Sequence, residues 1–296
     1  MSAIIMDGLF YSEELILDLK QNLESARCLN PKAPPPGLAV IRLGNDPASG
    51  VYVKKKKAMA ERLGYVVQEF RPLLESALIE IIQDLNEDPK VHGILLQLPL
   101  PFGMKTEGLL ACIKPEKDVD GFHAYNIGRL VQNQAALRPC TPAGVLYLVK
   151  RLKIELSGLS AVVLGRSQIV GLPMALELLH QGCTVSICHS QTKDLDFKRS
   201  LKNADLLVSA MGKPEYITGD WLKPGVIAVD VGINRDAKNG RLLGDLEFES
   251  VSKVAGYISP VPGGVGPMTV AMLMKNTYEA WKAQEGISAG FLGSQN

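Results

Sequence analysis

The residue types best placed to do chemistry in this 296-residue chain fall in the run Tyr52-Val53-Lys54-Lys55-Lys56. At helical spacing Lys56 lies about 40° from Tyr52, while Met59 and Leu63 lie within about 20° of Tyr52, so these four define the expected buried stripe. Lys54 and Lys57 point away from that stripe, and Lys55 sits at its edge. A run of lysines is ordinarily a solvated helix face, which suffices for Lys54 and Lys57. An ammonium on the apolar face requires either partners or a function. The function open to Lys56 is that of a base near neutrality, which needs the charged form to be destabilised by about 4 kcal/mol. Neighbouring lysines at about 8 Å supply only roughly 0.5 kcal/mol each in a watery dielectric. Burial, or a polar partner for the neutral amine, must do the rest. Gln97 interrupts ILLQLPL near the end of an expected parallel strand. It is either that partner or an amide satisfied by nearby backbone.

Three other stretches carry groups suited to a ligand. Asp118 and Asp120 in KDVDG are two carboxylates without a further ligand motif. They are too few for a metal and better suited to reading a donor-rich ring. Pro260 to Thr269, PVPGGVGPMT, holds three glycines and three prolines and ends in a helix start; it reads either as a connector or as a binding loop. Ala161 to Leu179 reads as a buried strand (Ala161 to Leu164), a turn opening at Gly165, and a helix with apolar positions Ile169, Pro173, Leu176 and Leu179. Such a turn leaves unpaired N–H groups and the positive end of a helix dipole facing a potential phosphate. The G-x-G-x-x-G pattern would place glycine at Ser167 and Val170, whereas only Gly165 and Gly171 flank this turn. The next strand, Val185 to Cys188, is followed by His189, Ser190 and Gln191, about where an adenosine ribose would lie. NAD sites tend to place a carboxylate there, and none is present. Arg166 with a nearby serine hydroxyl suits a 2′-phosphate, so the expected cofactor is NADP.

The elements that must position these groups alternate strand and helix. Expected strands are Leu38 to Leu43, Tyr65 to Phe70 and Val91 to Leu98, with helices at Ser49 to Leu63 and Ser76 to Leu85. A helix from about Thr141 to Leu152 reads as a bridge between two domains. Further strands follow at Leu206 to Ala210 and Val226 to Val231, then a long helix, Met268 to Ala283, and a tail, SAGFLGSQN, expected to fray. Near-continuous apolar strands belong to parallel sheets covered on both faces, so the fold class is α/β. The length and the 46% hydrophobic content suit two domains. Lys and Arg (32) balance Asp and Glu (31) to a net +1, so no global field draws nucleic acid or anionic lipid. KKKK without interleaved aromatics also argues against nucleic acid. The five cysteines are odd in number and lack C-x-x-C spacing, which argues against a disulfide framework and a zinc site and fits a cytoplasmic protein. No apolar run is long enough for a membrane span, and the N-terminus lacks the features of a signal peptide.

Seven ordered segments carry a resemblance: YVKKK, VHGILLQLPLP, KPEKDVDGF, GRSQIVGLP, CHS, VDVGIN and PVPGGVGPMTVAMLM. Together they resemble the methylenetetrahydrofolate dehydrogenase/cyclohydrolase family, FolD type, over nearly the whole chain. The resemblance implies an N-terminal α/β folate domain, 1–140 completed by 270–296, and a Rossmann-type NADP-binding domain, 141–269, with the active-site cleft between them. It implies NADP-dependent oxidation of a folate followed by its hydrolysis, one-carbon metabolism supplying purine and formyl-methionine synthesis, and a homodimer. Residue by residue, Tyr52 resembles the aromatic that stacks on the folate ring and Lys56 the catalytic lysine. Gln97 resembles the glutamine that tunes the lysine, and Asp120 the carboxylate that holds the pterin. Val53, Lys54, Lys55, Leu96 and Leu98 flank these positions in the implied substrate site, and Pro262, Gly263, Gly264, Val265, Gly266 and Thr269 resemble its lining loop. Gly165, Arg166, Ser167, Ser190 and Ile233 resemble the cofactor contacts, with Arg166 and Ser190 at the 2′-phosphate. The lysine run leaves Lys55 versus Lys56 as the open assignment. Lys56 and Gln97 together favour two activities over a dehydrogenase alone, and Asp120 favours an enzyme over an NADP-binding regulator.

Overall fold

A computed structural model describes residues 2–44, 47–101, 104–236 and 240–287. The tail expected to fray, 288–296, lies outside these residues. The first half of the chain runs β1 (Ile4–Ile5), α1 (Gly8–Leu29), β2 (Gly37–Ile41), α2 (Pro47–Arg62), β3 (Val66–Phe70), α3 (Glu75–Glu87), β4 (Gly93–Leu96), α4 (Thr106–Leu110) and α5 (Ala124–Val131). There follow α6 (Cys140–Lys150), β5 (Ser160–Leu164), α7 (Gly171–His180), β6 (Thr184–Cys188), α8 (Asp194–Asn203) and β7 (Leu206–Ser209). The chain continues through β8 (Ile227–Asp230), β9 (Asn234–Arg235), β10 (Leu242–Leu243), α9 (Phe248–Val254), β11 (Tyr257–Ile258) and α10 (Val265–Gln284).

These elements form two compact units, one of Met1–Glu13 with Pro139–Thr269 and one of Glu14–Arg138 with Val270–Asn296. The first thirteen residues, expected with the N-terminal domain, fall in the other unit because β1 adds to its sheet by parallel pairing with β11. Helix α6, expected to bridge the domains, lies within a single unit.

The unit containing Glu14–Arg138 is built on a three-stranded parallel sheet, β3-β2-β4. Strands β2 and β4 are buried along their whole length, as the unbroken apolar runs require of a sheet covered on both faces. Leu78, Ile82 and Leu85 of α3 pack on this sheet with Ile41, Ile94 and Leu96. Helix α2 ends where Gly64 takes a left-handed conformation (φ 78°), with Tyr65 N donating to Ala60 O at 3.0 Å. The last part of α10 docks here through Trp281, fully buried, whose indole Nε1 donates to Pro34 O at 2.8 Å.

The other unit is a six-stranded sheet in the order β1-β11-β8-β7-β5-β6, every neighbouring pair parallel. This is a doubly wound, Rossmann-type sheet whose chain reverses direction of growth after β6, so the topological switch point falls between β5 and β7. Ligands of such sheets bind outside the carboxyl ends of the strands at that point. Its core joins Val162 and Leu164 to Leu207, Ala228, Ile258 and Val251. Trp221 sits at its edge in an aromatic cluster with Phe197 and Tyr216, ring centroids 6.2 and 5.6 Å away, and Lys198 Nζ lies 5.4 Å over its ring. Among the described residues no helix is long and apolar enough to cross a membrane.

Candidate active site

The lysine helix buries part of the expected stripe, Lys56 and Leu63, but completes it with other residues. Val53, Lys56, Ala60 and Leu63 are buried, whereas Tyr52 and Met59 are only half-buried. The apolar face is thus turned toward Val53 and Ala60, and Lys56 lies within it, 7% exposed. Lys54 and Lys55 are exposed, and Lys57 leaves the site to pair with Glu69 at 2.7 Å. Burial therefore singles out Lys56 over Lys55 as the unusual lysine. Val53 is a core residue, so any ligand contact there would come from its backbone.

Lys56 Nζ donates to Gln97 Oε1 at 3.0 Å, and Gln97 Nε2 donates to Leu98 O at 2.6 Å. The amide is thereby oriented with its carbonyl toward the amine. Its backbone N–H continues the sheet, donating to Ile41 O at 2.9 Å. The partner offered to Lys56 is a neutral oxygen, which can accept from an amine or an ammonium. A carboxylate in its place would favour the charged form. Leu96 is buried just before this group and Leu98, half-buried, follows it into a cis bond with Pro99.

The two aspartates of KDVDG separate cleanly. Asp118 is buried, and its Oδ2 accepts from His123 N at 2.8 Å and Asn126 Nδ2 at 2.9 Å. Burial pushes its carboxyl upward against those hydrogen bonds. Asp118 also bridges Ile94 in parallel sense, which brings the residues that follow, including half-exposed Asp120, alongside the carboxyl end of β4. Val119 O between them accepts from Asn276 Nδ2 at 2.9 Å. Buried Lys117 serves the scaffold: its Nζ donates to Leu85 O and Asp88 O at the end of α3 at 2.9 and 2.8 Å. Thus Gln97 and Asp120 lie at one sheet edge with Lys56 bonded to Gln97. Neither Asn126 nor Asn276 was singled out by spacing, since each acts on a residue distant in sequence.

In the doubly wound unit, Gly165 occupies the switch point. Its φ is 111°, and a Cβ there would overlap the carbonyl oxygen of Ala210, just past β7. A Cβ at Gly171 would likewise overlap Gly165 O, so the turn closes on two glycines where the usual pattern has three. Ser167 Oγ accepts from the N–H groups of Val170 and Gly171, each at 3.2 Å, and so satisfies two donors at the entry to α7. The buried face of α7 is Gly171, Pro173, Met174, Ala175, Glu177 and Leu178; Ile169 precedes the helix and is exposed, as is Leu179, against the expected periodicity. Leu164 pairs with Cys188, so Arg166 and Ser190 each lie two residues beyond adjacent strand ends. Arg166 reaches across to donate to Gln191 Oε1 at 3.1 Å, the residue that follows exposed Ser190. A glycine turn at the switch point, with a cation at the end of the second strand, fits a phosphorylated dinucleotide.

Ile233 is 46% exposed in the loop after β8. Pro262–Gly266 occupies the turn that enters α10, which begins at Val265 rather than Met268. Gly264 N donates to Pro260 O at 2.8 Å, Leu9 N donates to Gly263 O at 3.1 Å, and Thr269 Oγ1 pairs with Thr141 Oγ1 at 3.0 Å. Among the described residues no group of three or more His, Cys, Asp or Glu could hold a metal ion.

Comparison with known proteins gives the class. Residues 139–285 match the family model of the tetrahydrofolate dehydrogenase/cyclohydrolase NAD(P)-binding domain, and residues 6–120 match that of its catalytic domain. The chain is 43% identical to the bifunctional enzyme FolD, methylenetetrahydrofolate dehydrogenase/cyclohydrolase, of Campylobacter jejuni, covering 95% of this chain and 99% of that one with a TM-score of 0.89. It is 40% identical to a 5,10-methylenetetrahydrofolate dehydrogenase of the silkworm Bombyx mori, over 96% of this chain and 99% of that one, TM-score 0.89. It is also 35% identical to the Trypanosoma brucei methylenetetrahydrofolate dehydrogenase-cyclohydrolase solved with NADP cofactor and an inhibitor, over 96% and 98%, TM-score 0.91. The chain belongs to the tetrahydrofolate dehydrogenase/cyclohydrolase family of enzymes.

Proposed function

We propose that this protein oxidises 5,10-methylenetetrahydrofolate to the 5,10-methenyl form with NADP+, then hydrolyses that product to 10-formyltetrahydrofolate. The observation that carries the reading is a buried lysine on a neutral partner, Lys56 Nζ to Gln97 Oε1 at 3.0 Å, in a chain of this family. NADP+, when bound, would supply the hydride acceptor for the methylene carbon, and binding it together with the folate would supply most of that step. Gly165, Arg166, Ser167, Ser190 and Ile233 hold the cofactor, with Arg166 and Ser190 at its 2′-phosphate. Tyr52 stacks on the folate ring, Asp120 accepts from the pterin, and Pro262–Gly266 with Thr269 lines the substrate site. In the hydrolytic step water adds to the methenyl carbon and neutral Lys56 takes its proton. The adduct's hydroxyl then gives up its own proton as its oxygen forms the formyl C=O, the bond from that carbon to N5 breaks and N5 takes up one proton, so one proton is released for each water consumed.

The product is a formyl donor, and we place it in one-carbon supply to purine and formyl-methionine synthesis. The five cysteines are free thiols, which suits the cytoplasm. A homodimer follows from the same family reading, and the mass in solution checks it.

The test is a spectrophotometric assay on 5,10-methylenetetrahydrofolate with NADP+ and NAD+ in parallel, with cyclohydrolase measured separately on supplied methenyl substrate. NADP+-dependent turnover with little methenyl build-up is expected. Lys56→Met is expected to lower cyclohydrolase at least about 100-fold, and Lys56→Arg to fail as a replacement because guanidinium does not give up its proton. A fully active cyclohydrolase carrying the Lys56→Met change would end the assignment.

A further inference from the structure

Two buried carboxylates stand at the carboxyl ends of β7 and β8. Asp245 is fully buried: its Oδ2 accepts from Ser209 Oγ (3.0 Å), Met211 N (2.6 Å) and Gly212 N (3.3 Å), and its Oδ1 accepts from Lys213 N (2.9 Å) and Asn234 Nδ2 (3.2 Å). Asp230, 3% exposed, accepts from Gly232 N (2.9 Å) and Asp245 N (3.0 Å) on Oδ1 and from Leu246 N (2.9 Å) on Oδ2. The pair interlocks. A Cβ at Gly232 would overlap Asp245 Oδ1, and one at Gly244 would overlap Asp230 Oδ2. Each aspartate thus fills the space that the other's neighbouring glycine leaves open.

This knot fixes two loops at once. The turn Met211–Lys213 follows Ala210, whose carbonyl closes on Gly165 at the switch point. Gly232 and Asn234 bracket Ile233, so the residue between two tethered neighbours is the one left exposed. We propose that Asp245 and Asp230 are positioning residues for the dinucleotide cofactor: they hold the loops after β7 and β8 so that the switch point stays open and Ile233 is presented to the cofactor. The inference rests on the cofactor reading given above. Burial of this kind is costly for a carboxylate and is justified by the number of backbone donors each one collects.

The experiment separates positioning from general support of the fold, because hydrolysis of supplied methenyl substrate needs no cofactor. In Asp245→Asn, the KM for NADP+ is expected to rise at least about tenfold, while cyclohydrolase on supplied methenyl substrate stays within about twofold. Asn234→Ala removes one hydrogen bond of the knot and is expected to raise the KM for NADP+ by about three- to tenfold; this variant decides the matter if Asp245→Asn does not fold. An unchanged KM for NADP+, or an equal fall in both activities of a folded variant, overturns the positioning role while leaving the cofactor reading intact. No NADP+-dependent turnover by the unsubstituted protein overturns both.

Discussion

At Gln97 the choice of amide over carboxylate matters, because only one of the two leaves the lysine amine without an adjacent negative charge. Gln97→Glu would place a carboxylate within hydrogen-bonding reach of Lys56 Nζ. It is expected to lower cyclohydrolase by about 10- to 100-fold by holding the ammonium, and to move the alkaline requirement of that activity upward in a pH–rate profile. Dehydrogenase turnover, which does not need the lysine neutral, should fall less. At Arg166 the argument concerns selectivity. Its guanidinium is bonded to Gln191 at the end of the second strand, and on the proposed contact with the 2′-phosphate Arg166→Ala should weaken NADP+ by about 1.5–3 kcal/mol with little effect on NAD+. Parallel KM measurements with the two cofactors read this directly. Lys56 itself was legible from helical phase, but the stripe was centred on Tyr52 and Met59 when packing had chosen Val53 and Ala60. A lysine's own stem is apolar enough to sit in either position, so phase alone could not rank the neighbours.

Among the elements, those with one apolar period were readable and those whose pattern is set by distant contacts were not. The buried strands β2, β4, β7 and β8 announce themselves by unbroken apolar runs. Helix α1 does not, because exposed Leu9, Phe10, Leu17 and Leu29 lie off the buried stripe of Leu15, Ile16, Leu19 and Leu23 and blur its period. Strand β1 is two residues long and exists through its pairing with β11. The Asp230–Asp245 knot joins loops fifteen residues apart, and no local spacing encodes it. The β5–α7 turn gives an element-scale prediction: Gly165→Ala forces a Cβ against the Ala210 carbonyl at φ 111°. The variant should lose at least about 1–3 kcal/mol of stability, read as the denaturant midpoint, and should bind NADP+ poorly. A second concerns the docking of α10. Buried His92 accepts from Gly37 N on Nδ1 at 2.9 Å, and its Nε2 meets Glu285 Oε1 at 3.1 Å. Burial pushes the imidazole's pKa down, against the pull of Glu285 and Asp88, with Lys117 adding to the fall. The folded form therefore refuses a proton that the unfolded chain accepts near pH 6.5. Stability from this group is present above about pH 6.5 and lost as pH falls through the lower folded value. His92→Asn should flatten that part of the stability–pH curve.

At the scale of the whole molecule, each unit holds a buried group whose titration is linked to stability, and these two groups, Asp230 and His92, respond to acid in opposite senses. Asp230 in the doubly wound unit is pushed up to about 7, chiefly by burial with Asp245's charge assisting, against three backbone hydrogen bonds. Its folded pKa lies above the unfolded value, so its contribution is lost as pH rises from about 4 through about 7 and regained on acidification. His92 in the other unit moves the other way over the lower part of that range. The division into two units was legible from length and alternating pattern. The assignment of residues 1–13 was not, since it depends on one short parallel pairing. The chain has two tryptophans, and they fall one to each unit: Trp221 beside the aromatic cluster and Trp281 sealed against Pro34. Each unit therefore carries its own intrinsic fluorophore, with Trp281 emitting from a dry environment and Trp221 from a half-exposed one beside the Lys198 ammonium. In Trp221→Phe and Trp281→Phe variants a single emission band reports a single unit. Lowering the pH below 6.5 should red-shift the Trp281 band before the Trp221 band moves, so the protein announces in colour which half gives way first.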